Sequence, residues 1–152
     1  MSSTETIGAL GTITVDYGTS LQAMIAAGNY DWVNPNITAE RFPVVGKGIV
    51  RFKPKLFDSP RYISSEHAVA AMKKEKFTPA THVHGLAFGA TFPDEQRKYL
   101  IVCLGSSAQV LGDRRVVYLC RRAAGRYLDL SRWGGFWDGF WRLLAVQQLS
   151  AA

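Results

Sequence analysis

The sequence predicts an α+β fold: an N-terminal strand and two to three helices, followed by a C-terminal antiparallel β-meander. Three observations carry this. Between residues 20 and 90, apolar residues recur at helical spacing behind Ser and Thr residues suited to capping. From Tyr99 onward the period shortens to that of strands, interrupted by small-residue corners. The 152 residues, 47% hydrophobic and 20% charged, suffice for one buried core. Residues 1–152 therefore read as a single α+β domain, with 1–10 expected to be flexible.

The elements follow in order. Residues 12–15 alternate and are rich in β-branched side chains, which suits a first strand. Thr19 or Ser20 caps a short helix with Leu21, Met24 and Ile25 on one face, and Gly28 is placed to end it in the left-handed conformation. Residues 29–36 form a bend that Tyr30 and Trp32 pin to the core. Residues 37–41 make a single turn before Pro43, and residues 49–53 alternate as a strand that Pro54, Pro60 and its lysines place at an edge. Ser64 or Ser65 opens the clearest helix, with Val69 and Met72 inward and Lys73, Lys74 and Lys76 toward its negative end. Thr81 caps a third helix carrying Val83, Leu86, Ala87 and Ala90, in which Gly85 and Gly89 permit close backbone approach. Residues 93–97 read as a surface turn or brief helical segment. Residues 99–104 are a continuous apolar run suited to a central strand; residues 115–121, 126–130 and 141–147 complete the meander around Gly112-Asp113 and Ala123-Ala124-Gly125.

Residues 20–34 (Ser-Leu-Gln-Ala-Met-Ile-Ala-Ala-Gly-Asn-Tyr-Asp-Trp-Val-Asn), Pro79-Ala80-Thr81, residues 101–106 (Ile-Val-Cys-Leu-Gly-Ser) and 141–146 (Trp-Arg-Leu-Leu-Ala-Val) are similar to segments of small bacterial proteins without an assigned activity. That resemblance implies bacterial or phage-related ancestry and carries no activity. The order of strand, helices and late strands also resembles the C-type-lectin-like architecture. The calcium-binding Glu-Pro-Asn and the disulfide pattern of sugar-binding lectins are missing from the sequence, so sugar binding does not transfer.

Composition excludes several classes. The polar start, Met1 to Thr6, lacks the basic-then-apolar pattern of a secretory signal, and the longest apolar strip is far too short to span a bilayer. A cytoplasmic protein with no membrane partner is expected. Two cysteines, Cys103 and Cys120, make neither a disulfide framework nor a Cys-x-x-Cys element, and read as small buried hydrophobes.

The net charge of +6 favours acidic partners, and its layout is uneven. Arg114, Arg115, Arg121, Arg122, Arg126 and Arg132 stand against a single carboxylate, Asp129, within one stretch, and no lysine follows Lys98. Arginine's planar fork binds phosphate or carboxylate with two parallel bonds and stacks on rings. Alternation puts Arg115 and Arg121 on one strand face and Arg114 and Arg122 on the other, while Arg121, Arg122 and Arg126 can meet at a hairpin tip. From there, residues 132–142 crowd Trp133, Phe136, Trp137, Phe140 and Trp141 among three glycines. The loop over 131–139 reads either as a platform stacking Trp133, Phe136 and Trp137 on bases or sugars, or as a turn whose Trp133 and Trp137, with Trp141, fill the core beneath a twisted sheet.

The function expected is a non-enzymatic binding or regulatory module that engages an acidic protein surface or nucleic acid through the arginine hairpin. No catalytic residue, cofactor or metal is assigned. His82 and His84 diverge by about 200° on a helix, which breaks a His-x-His metal pair. One alternative is an enzyme using Cys103 or Cys120 with His67, His82 or His84; another is a lectin-like small-ligand domain lined by Trp133 or Trp137.

Overall fold

Residues 11–59 and 61–149 are described by a computed structural model; the flexible start expected over 1–10, and Pro60, lie outside the described residues. The elements run β1 (Ile13–Asp16), α1 (Leu21–Ala27), β2 (Trp32–Val33), β3 (Ile49–Asp58), β4 (Ile63–Ser64), α2 (Ser65–Lys74), β5 (Thr78–Pro79), α3 (His82–Thr91), α4 (Glu95–Lys98), β6 (Leu100–Val102), β7 (Ala108–Val110), β8 (Asp113–Arg122), β9 (Gly125–Arg132), β10 (Phe136–Trp137) and β11 (Trp141–Gln148). Caps start the helices as their chemistry requires. The Ser20 hydroxyl accepts the Ala23 N–H and the Ser64 hydroxyl the His67 N–H, each at 3.1 Å. At α3 the His84 ring accepts the N–H of the Thr81 cap at 3.0 Å.

An α+β architecture holds, but the sheet is mixed and the C-terminal meander is corrected. Seven strands run in the order β1-β3-β11-β6-β8-β9-β2, with β5 added beside β11 and β7 beside β8; β4 and β10 form a separate pair. The last strand does not join β9. Instead β11 lies antiparallel to β3 and parallel to β6, and β2 lies parallel to β9. The reason is solvation: Leu143, Leu144, Ala145 and Val146 are all buried, so both faces of this strand need cover, and a central position supplies it.

Strand alternation divides the core between the two sheet faces. One face carries Ile101, Val117, Leu119, Leu128, Leu144 and Val146, packed under Leu21 of α1 and Val83, Leu86 and Phe88 of α3. The other carries Val102, Leu104, Val116, Leu143 and Ala145 against Ala68 and Met72 of α2 and against Trp137. Close approach of α3 depends on its glycines. A Cβ on Gly85 would stand 2.5 Å from the Cys103 sulfur, and one on Gly89 would stand 2.2 Å from the Tyr30 hydroxyl.

Three local expectations change. Gly28 ends α1 in the right-handed region at φ −81°, and Asn29 takes the left-handed φ of +50° instead. Glycine is needed at 28 because a Cβ there would meet the Tyr30 ring at 2.3 Å. The edge assigned to residues 49–53 is interior: Ile49 to Phe52 pair with β1, and Phe52 to Asp58 with β11. Pro54 sits just past the end of β1, where the missing N–H costs no ladder bond to that strand. Finally, of the two readings for residues 93–97 the brief helical segment holds, as α4, and only the surface placement changes, because Glu95 and Gln96 are buried. Among the described residues no helix is long and apolar enough to cross a membrane.

Candidate acidic-partner interface

The β8–β9 ribbon pairs Arg115 with Arg132 at its root and Arg121 with Arg126 near its tip. At about 3.3 Å per residue, Arg115 and Arg121 lie about 20 Å apart along the strand, so the six arginines do not share one patch. At the root, Asp113 holds both Arg115, at 3.3 Å, and Arg132, at 3.4 Å. Arg114 points to the opposite face, 3.7 Å above the centre of the Trp133 ring, with its Nε–H donated to Ser107. The Trp133 indole N–H goes to Glu66, and this bond holds the Glu66 carboxyl below the usual carboxylate range. Root charge is thus largely engaged by the protein itself.

The tip separates its three arginines, and the convergence expected of Arg121, Arg122 and Arg126 is corrected. Arg122 turns to the α2 side of the sheet, 2.7 Å from Asp129, and donates to the Tyr118 hydroxyl at 3.2 Å. Burial pushes that phenol up to about 12, so it stays protonated. Asp129 is also held by Asn34, which fixes β2 to the ribbon.

Arg126 is 5% exposed and is a structural cation. Its guanidinium donates to the carbonyls of Pro93 at 3.0 Å, Gly89 at 2.8 Å and Gly28, and to the side-chain oxygen of Gln96 at 2.8 Å. Gly28 caps the C-terminus of α1 and Gly89 lies in the last turn of α3, so two negative helix ends converge on it. Pro93, four residues after Gly89, has no N–H to complete the helical bond, and Arg126 supplies the missing donor.

Arg121, on the same face as Arg126, is exposed and has no ion pair among the described residues. It borders a cleft of about 200 Å³ together with Gln96, Arg97, Lys98, Tyr99, Leu100 and Phe140. Arg97 donates to the Ala124 carbonyl at 2.9 Å, which ties α4 to the hairpin turn, and lies 3.4 Å from Asp94. Glu95 bonds Lys98 at 2.9 Å and holds its ammonium above the usual range, so Lys98 stays charged but is paired with an acid. Phe140 is 76% exposed, yet its backbone is clamped: its N–H goes to Asp138 and its carbonyl accepts from Leu100.

The three aromatic candidates part company. Trp137 is 3% exposed, edge-on to Trp141 with ring centres 4.6 Å apart, and donates its indole N–H to Ser65. Trp133 is half-buried under Arg114. Phe136 is exposed and meets only the equally exposed Tyr62 edge-on among the aromatic rings. The displayed ring beside free positive charge is Phe140, which the sequence placed in the aromatic cluster without marking it as a ligand contact. Arg97 and Lys98 were also missed. Their proximity to the hairpin comes from α4, and their acidic neighbours Asp94 and Glu95 gave them the look of a solvated turn.

Of the other chemical candidates, Cys103, Cys120, His82 and His84 are buried, and His67 is exposed on α2. Cys103, just past the end of β6, and Cys120 on β8 are both buried free thiols; burial pushes the Cys103 thiol up to about 12 and raises that of Cys120. His82 bonds Ser106 through Nδ1 at 2.9 Å and the Pro43 carbonyl through Nε2 at 3.0 Å. Burial lowers its pKa, and that of His84 to about 4. Among the described residues no three His, Cys, Asp or Glu side chains gather as a metal centre needs. Compared with protein-family models, with curated proteins and with solved structures, the chain gives no match in any of the three.

Proposed function

We propose that this chain is a non-enzymatic binding module that engages an acidic partner at the tip of the β8–β9 hairpin rather than along its length. The observation that carries the reading is Arg121, exposed and without an ion pair among the described residues, lining one cleft together with Arg97 and Lys98. A guanidinium that folding leaves without an acid retains its capacity for two-pronged anion binding. The short helix and the hairpin turn are tied together, so the cations are already in place and little ordering cost remains on association.

Retention on an immobilised polyanion tests this. The protein is expected to bind heparin resin at low salt, and Arg121→Glu is expected to elute at markedly lower salt than Arg132→Glu. Flow-through of the unaltered protein at low salt, or equal elution of the two variants, overturns the reading.

A further inference from the structure

We infer that the acidic partner is single-stranded nucleic acid, with a base stacked on Phe140 and the flanking phosphates held by Arg121, Arg97 and Lys98. This rests on the acidic-partner reading above and adds an element that reading does not need: the ring. Phe140 borders the cleft that Arg121 lines and is 76% exposed, so its ring face is available to a ligand held there. Its position is set rather than loose. Asp138 accepts the Phe140 N–H at 3.0 Å, and the Phe140 carbonyl accepts from Leu100 at 3.3 Å, at the point where β11 and β6 begin to pair. Tyr99, which also lines the cleft, carries the Arg142 guanidinium 4.2 Å from its ring centre, and Asp58 in turn fixes Arg142 at 3.1 Å. The cleft therefore brings an exposed ring on a clamped backbone together with Arg121, which has no ion pair among the described residues, and two further cations. That is the pairing of groups by which unstacked bases and their backbone are held together.

An acidic protein surface accounts for the cations through its carboxylates, but it covers the ring only where a separate apolar side chain stands beside them. Duplex nucleic acid offers phosphates but keeps its base faces inside the helix. A single strand presents both at once. The cleft admits one base-sized group, so the contact is a short footprint, and sequence preference is weak because every base has a face to stack.

Fluorescence anisotropy with short dye-labelled thymidine and uridine oligonucleotides tests the inference. Binding is expected to weaken with salt, and Arg121→Ala is expected to lower the salt slope by about one. Phe140→Ala is expected to weaken binding by about tenfold, while Phe140→Trp restores it. Both positions are exposed, and an unchanged thermal melt keeps a folding defect from imitating the result. If duplex binds as tightly as single strand, or if Phe140→Ala binds as the parent does, single-strand recognition is overturned while the acidic-partner reading stands. If a poly-glutamate peptide binds more tightly than either oligonucleotide, the partner is an acidic protein and the inference fails. If neither the oligonucleotides nor heparin binds, both readings fail together.

Discussion

Arg121 and Arg126 stand opposite each other in the β8–β9 ladder, on one face of the sheet, and meet opposite fates. Arg126 is enclosed by carbonyls from the ends of two helices and by Gln96, whereas Arg121, one cross-strand step away, lines a cleft and has no ion pair of its own among the described residues. The difference lies in what the rest of the chain brings over each strand. His84, at the other end of α3, completes the comparison: it too is buried, but its Nε2 has no hydrogen-bond partner among the described residues, and the fold keeps it neutral. Burial alone does not decide whether a base is charged; the acceptors buried with it do.

The comparison breaks most sharply at Arg126. Replacing it by Leu leaves the Gly28, Gly89 and Pro93 carbonyls and the Gln96 oxygen without their donor. The expected loss is about 3 kcal/mol or more, seen as a lower denaturant midpoint. Arg126→Lys is expected to recover only part of it, because one ammonium cannot span four acceptors set around a planar fork. A loss below about 1 kcal/mol in the Leu variant would mean that the enclosure contributes little and that Arg126 is not structurally distinct from Arg121.

His84 sharpens the comparison from the other side. The unfolded chain protonates this ring near its ordinary 6.5, whereas burial in the folded protein delays protonation to about 4. Between these values the unfolded state binds more protons, so stability falls as pH is lowered through 6.5 and continues to fall toward 4. The contribution lost by pH 5 is about 2 kcal/mol, and His82, shifted in the same direction, adds to it. Urea midpoints at pH 7 and pH 5 measure this. A His84→Gln variant is expected to show a shallower fall, and an identical fall would assign the acid sensitivity to other groups.

These contrasts also show what the sequence makes legible. The helix starts at Ser20, Ser64 and Thr81 are readable because a cap acts within three residues of itself. The place of β11 was readable in principle, since Leu143 to Val146 is as continuously apolar as the run correctly placed in the sheet centre at β6. Alternation along β8 likewise predicts that Arg114 and Arg122 face away from Arg115 and Arg121. The roles of individual arginines are not local properties. The enclosure around Arg126 draws on residues 28, 89, 93 and 96, and the cleft at Arg121 on residues 96–100 and 140. Only the packed chain brings these segments together, so a count of charges along the sequence cannot separate a structural guanidinium from a displayed one.

The smallest effects on stability carry the comparison to the surface. Arg121→Ala and Arg132→Ala are each expected to change stability by less than about 0.5 kcal/mol, because one has no ion pair among the described residues and the other forms an exposed pair that water largely screens. Their effects on anion binding are expected to differ, since Arg132 must leave Asp113 before it can meet a phosphate. Asp113 therefore becomes the informative position. Asp113→Asn removes the carboxylate shared by Arg115 and Arg132, and is expected to make polyanion retention more salt-dependent without altering the cleft at the other end of the ribbon. In that background Arg132→Ala is expected to reduce retention, although it has little effect in the parent protein. Equal effects in both backgrounds would show that Asp113 does not restrain these cations, and the distinction between root and tip would rest on the cleft alone.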